Sequence, residues 1–309
     1  MQPTFFVAFF DLSRTAFSMS AAGLAVLVIG LVAASSDVAH ARGLDKLVTL
    51  ANVCIAAPFA TFAAEHFSAE RLLLNVVPRY MPWRLFWLYF VGVALIAASL
   101  SLATKVQMRW SGLLLGIMMF LFVLMVFAPG AIASGNRFAW TVVFREMSFG
   151  GAAWVLAGSA MGDRRKGKGL IAVGRVLIAI GAIFFGVQHF LHPLGLPGVP
   201  LKRQMPAWIP GRAFIDYLTG AFLVAGGVCF LRTWKVRMAA TYLGAWIVLA
   251  VVLIYGPVLI ETLANPSMAV QVEGVSYFAD TLLYGGAILS LARAMMSADR
   301  AESAHTRAT

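Results

Sequence analysis

Ionisable and polar side chains are sparse in this chain and gather where apolar stretches end. Glu65-His66, Arg145-Glu146, Gln188-His189, Asp216, Glu261 and Asp280 all lie at such positions. Charge placed in an apolar span is costly, and where a chain keeps it the default reading is function. His66 and His189 are each followed by Phe at the end of a stretch. Two neutral imidazoles at one depth can ligate a haem or a metal, or hydrogen-bond a quinone carbonyl. The plainer reading is a helix-end histidine bonded to a neighbouring carboxylate or backbone carbonyl, and the spacing leaves both open. Glu65 and His66 are adjacent, so on a helix their side chains diverge and adjacency alone makes no dyad. Arg145-Glu146 is expected to pair across helices, with Glu65 or His66, because all four share one depth. The candidate catalytic residues are therefore His66, His189, Glu65, Arg145, Glu146 and Asp280. The candidate cofactor-binding residues are His66, His189, Gln188 and Trp208. No P-loop, GxGxxG or HExxH motif is present. The two cysteines, Cys54 and Cys229, form no CxxC, so neither a dithiol relay nor a protein metal site is expected.

The elements that hold these groups must be membrane helices. Of 309 residues, 61% are hydrophobic and 12% charged, whereas a soluble chain is nearer half apolar and a quarter charged. Nine hydrophobic segments lie near 16–36, 44–67, 83–103, 110–131, 142–160, 170–191, 212–231, 238–260 and 277–296. Period-two alternation is absent, which excludes a membrane barrel. The net charge of +11 reads as loop charge that orients helices, and no nucleic-acid partner is expected. With nine spans, 15 Lys and Arg fall on one side and 9 on the other. The richer side is cytoplasmic by the positive-inside rule, with the N-terminus outside and the C-terminus inside. Ala39-His40-Ala41 resembles a signal-peptidase site, but the loop after the first span then lies inside, so that span is expected to be retained. In this frame the polar groups form an outer layer over an apolar base, with Asn52 and Arg175 the exceptions near the inner face.

The chain also repeats itself. Phe62 to Phe67 matches Phe185 to Phe190, with the histidines 123 apart. Pro78-Arg79-Tyr80-Met81-Pro82 matches Pro206-Ala207-Trp208-Ile209-Pro210 at 128, an offset kept by Gly92 and Gly220 and by Pro129 and Pro257. Gly150-Gly151-Ala152 matches Gly285-Gly286-Ala287 at 135. Five ordered matches are not chance, and the offset grows only in loops. Each copy holds four spans, so the copies are expected to be parallel and related by an axis near the membrane normal. The organisation is an N-terminal span and cytoplasmic loop (1–43), a first four-helix module (44–162), a basic linker (163–169), a second module (170–298) and a polar tail (299–309). The proline-aromatic loops read either as an interfacial belt or as a stiff lid. Pro129 and Pro257 should each free the carbonyl four residues earlier, Met125 and Leu253.

The run Phe184 to Phe190, then Pro206-Ala207-Trp208-Ile209-Pro210, then Tyr217-Leu218-Thr219-Gly220-Ala221 resembles the DoxX-like membrane proteins. The resemblance covers 170–296 well and 44–160 weakly, where Tyr80 stands for the Trp. It implies a four-helix module associated with membrane redox chemistry, in a family that includes subunits linked to thiosulfate:quinone oxidoreduction. The fold expected is thus all-α and polytopic: two tandem parallel modules plus one span in a bacterial-type inner membrane. The function expected is a quinone-associated redox component, a membrane oxidoreductase subunit, with an outward-facing polar site. Quinone is the cofactor expected, and haem the lesser alternative. The partners expected are the lipid bilayer, quinone and a redox protein. Alternatives are a non-enzymatic module that binds lipid or scaffolds a complex, and a small-solute transporter.

Overall fold

The computed structural model describes residues 12–199 and 202–308, without the side chains of Arg164 and 297–308. Among the described residues all regular elements are helical, and one isolated bridge joins Gly195 and Gln204. The helices are α1 (Arg14–His40), α2 (Asp45–Thr49), α3 (Ala51–Ser68), α4 (Glu70–Leu73), α5 (Arg84–Thr104) and α6 (Met108–Phe122). A π-helical turn (Val123–Phe127) leads to α7 (Ala128–Ser134), then α8 (Arg137–Ser159), α9 (Arg164–Leu191), α10 (Arg212–Leu231) and α11 (Val236–Ala250). A second π turn (Val251–Tyr255) precedes α12 (Gly256–Leu263) and α13 (Met268–Ala308).

Caps set several of the starts. Ser13 accepts from the Ala16 N–H, Asn136 from Phe138, and Asp163 from Arg165 and Lys166, satisfying first-turn donors that have no helical partner. Helices α5 and α10 instead start after left-handed residues, Trp83 and Gly211. The turns from α5 to α6 and from α10 to α11 pass through positive φ at Lys105 and Gln107 and at Thr233 and Lys235. Pro129 and Pro257 sit in the first turns of α7 and α12, just after the π segments. Proline lacks the N–H for the preceding turn, and the Tyr80 hydroxyl donates to the freed Met125 carbonyl at 3.2 Å.

Among the described residues, seven stretches are long and apolar enough to cross a membrane, including α1, α5, α10, Met108–Ser134 and Val236–Leu263. The protein is thus a multi-pass membrane protein in contact with lipid. Helices α3 and α8, counted as spans from the sequence, are not among the seven. Asn52, Pro58, Glu65 and His66 lower the apolarity of α3, and Arg137, Arg145 and Glu146 that of α8. Both lie inside the bundle: α3 is buried from Ala51 to Thr61, and α8 from Ser148 to Gly158. A helix facing other helices need not be lipid-apolar all round.

The inner layer consists of α3, α8 and α13, with 83% of the apolar window of α13 buried. Helix α8 packs on α9, α13 packs on both α3 and α8, and α5, α6, α10 and α11 lie outside them. Small residues allow the close approaches, as membrane helices require. A Cβ at Gly174 would sit 2.3 Å from the Gly151 carbonyl, and one at Gly286 2.9 Å from Cys54 Cβ. Helix α1 lies on α3, held by Thr15 Oγ1 donating to the Ser68 carbonyl and by Ser13 N–H donating to Gln271 Oε1.

Candidate functional site

Two polar groups converge at the end of the bundle where α9 finishes. The first centres on Arg145, two turns into α8. Its Nη1 donates to Asp280 Oδ2 at 2.5 Å, and its Nε and Nη2 donate to Glu146 Oε1 at 3.2 and 2.9 Å. Only 16% of the Arg145 side chain is exposed, and Asp280 is buried. Glu65 on α3 lies within Coulombic reach of the same guanidinium. The expectation that Arg145 pairs with Glu65 or His66 is therefore replaced: Asp280 on α13 takes the guanidinium, and Glu65 contributes only its nearby charge. The Arg145 guanidinium also lies 6.0 Å from the Phe149 ring.

The second group is built on His189, whose side chain and that of Asp216 on α10 are wholly buried. With the hydrogen on Nδ1, the imidazole donates to Asp216 Oδ1 at 2.6 Å. Nε2 then accepts from the Gly198 N–H at 3.2 Å, and the Gly198 carbonyl lies 3.1 Å from the same nitrogen. Gly198 thus offers a donor to the neutral ring and an acceptor to the protonated one. The segment carrying Gly198 folds back over α10–α13: Leu196, Met205 and Ile209 pack with Ile254, Tyr255 and Tyr277. The Tyr255 hydroxyl donates to the Pro197 carbonyl at 3.0 Å. Tyr255 also lies within electrostatic reach of both Asp280 and Asp216, and so links the two groups. Asp216 Oδ2 and the Tyr284 hydroxyl are buried with no hydrogen-bond partner among the described residues.

The other sequence candidates fall as follows. His66 Nδ1 donates to its own Phe62 carbonyl at 2.7 Å, so the two histidines take separate partners. With both His189 nitrogens engaged, a bis-histidine ligand pair would require the ring to leave Gly198. Gln188 accepts from Arg137 Nη1 at 3.5 Å rather than joining His189. Trp208 is 55% exposed and stands apart from the buried set. His192 caps α9 instead of extending it.

Sequence reasoning did not bring Tyr255, Gly198 or Tyr284 into the site, and placed Asp216 at this depth without a partner. A signal for two of them lay in the 128-residue offset read from the sequence. Counting back 128 residues from Asp216 and Tyr255 reaches Leu88 and Phe127, so the second half is polar where the first is apolar. No family model, curated protein or solved structure matches the chain.

Proposed function

We propose that the chain is a DoxX-like inner-membrane protein of two tandem parallel four-helix modules after one retained span, acting as a quinone-associated redox component. In this reading it has nine spans, an external N-terminus and a cytoplasmic C-terminus. Support for the tandem arrangement comes from backbone features that recur at one offset. The π turns begin at Val123 and Val251, and the left-handed residues pair as Trp83 with Gly211, Lys105 with Thr233 and Gln107 with Lys235, all 128 apart. The stacked pairs Phe67–Tyr89 and Phe190–Tyr217 are likewise matched.

The observation that carries the functional reading is the Arg145–Asp280 ion pair, whose members stand 135 residues apart. That is the repeat offset here, so matching positions of the two halves meet, with Glu146 bonded to the same guanidinium and Glu65 and Tyr255 within electrostatic reach. Protonatable groups buried beside lipid suit a lipid-soluble carrier that exchanges protons with its electrons. Quinone, when bound, supplies the redox chemistry. The chain's residues orient the ring, exclude water and hold protons at carboxylate and imidazole atoms. The test is quinone content after extraction in native-lipid particles. Near-stoichiometric quinone is expected in the unaltered protein, with a loss of ten-fold or more in Glu65→Gln and Asp280→Asn. No quinone in any preparation, or equal amounts in all three, would end the reading.

Full engagement of both His189 nitrogens favours a second reading, in which the polar layer clamps helices in a lipid-binding or scaffolding module. It expects His189→Ala to lower thermal stability with no bound quinone to lose.

A further inference from the structure

The opposite end of the bundle carries a groove of about 1010 Å³ that the polar layer does not use. Five cations line it from three separate parts of the chain: Arg42, Lys168, Arg175, Lys235 and Arg237. Its lining carboxylate, Asp45, is already held by Arg237 Nη2 at 3.1 Å. Arg175 donates to the Phe230 carbonyl, which fixes the C-terminal end of α10 at the groove wall. Arg42, Lys168 and Lys235 are exposed and have no carboxylate partner among the described residues. Apart from Thr233 and Thr241, the rest of the wall is largely apolar and continues along the spans through Ile171, Ala172, Met238 and Tyr242.

Positive loops alone do not account for this arrangement. Counting back by the repeat offsets of 123 and 128, the positions matching Lys168, Arg175 and Lys235 hold Asp45, Asn52 and Gln107. Arg237 is matched by Arg109 at 128 and Arg42 precedes both halves, so three of the five cations are particular to the second half, and all five converge on a concavity, which a rule about loop charge does not require. Cations at the rim and an apolar wall below call for an amphiphile with an anionic head. Basic pockets between membrane helices hold such headgroups.

We propose that this groove seats the phosphate headgroup of an anionic phospholipid, held by Arg42, Lys168 and Lys235, with an acyl chain along Ile171, Ala172 and Tyr242. The site is independent of the redox reading and stands or falls separately from it. The test is bound lipid counted by native mass spectrometry, after equal exposure of detergent-solubilised protein to phosphatidylglycerol and phosphatidylcholine of identical acyl chains. Retention of phosphatidylglycerol should exceed that of phosphatidylcholine at least ten-fold. Each of Arg42→Gln, Lys168→Gln and Lys235→Gln should weaken it about five-fold. Arg109→Gln and Lys46→Gln, exposed cations outside the groove, should leave it unchanged, and excess inorganic phosphate should fail to displace the lipid. Equal retention of the two lipids would overturn the proposal. So would control variants as weak as the groove variants, or full displacement by phosphate, which would mark a free anion as the ligand. All named positions are exposed, and unchanged thermal midpoints would show that the variants fold.

Discussion

At the scale of the residue, the account rests on polar atoms that would be orphaned by single changes. His189→Ala strips Asp216 of its donor inside the bundle, and an unpaired buried charge costs about 3–5 kcal/mol. Thermal unfolding in one detergent should therefore show a large loss for His189→Ala. Asp216→Asn, which keeps an acceptor for Nδ1, should lose clearly less; equal losses would contradict the hydrogen bond. Gly198→Ala is a sharper probe. Its φ of +106 is strained for any side chain, and the new Cβ would lie 3.2 Å from Thr281 Cγ2. A loss of about 1–3 kcal/mol is expected, and a neutral outcome would mean that the loop is not seated as described. At this scale the sequence was half legible. His189, Arg145 and Asp280 stood out because charge among apolar residues is expensive. Gly198 and Tyr255 did not, because their roles depend on Leu196, Met205 and Ile209 packing back onto the bundle, which no local pattern encodes.

The elements were more legible than their partners. Pro129 and Pro257 announced a disturbance of the helix, and the π turns lie directly before them. The Met125 carbonyl was expected to need a donor, but that Tyr80 supplies it depends on how two loops approach each other. Helices α3 and α8 read as hydrophobic segments from the sequence, but that they face other helices rather than lipid is not visible in such a segment. Glycines make the packing testable. Gly174→Ala places a methyl group against the Gly151 carbonyl at 2.3 Å, and overpacking of this kind costs about 1–3 kcal/mol. Gly130 lies in α7 with nothing near its absent Cβ, so Gly130→Ala should be neutral or gain about 0.5–1 kcal/mol. Equal thermal midpoints for the two variants would refute the α8–α9 approach.

For the molecule as a whole, charge asymmetry and the repeat set the expected topology. Cysteine substitutions in a chain with Cys54 and Cys229 replaced test it. A membrane-impermeant thiol reagent applied to intact cells should label Asn265→Cys, in the loop between α12 and α13, and spare Gly162→Cys, in the turn between α8 and α9. The reverse pattern would invert the protein in its membrane. The most direct measurement is a double-mutant cycle on the ion pair that joins the two halves, with Arg145→Met, Asp280→Leu and the double variant unfolded under identical conditions. Arg145→Met should cost about 3–5 kcal/mol by stranding the buried Asp280, and Asp280→Leu less, because Glu146 still holds the guanidinium. The double variant should cost at least about 1 kcal/mol less than the sum, and costs that add within about 0.5 kcal/mol would contradict the Arg145–Asp280 contact between α8 and α13.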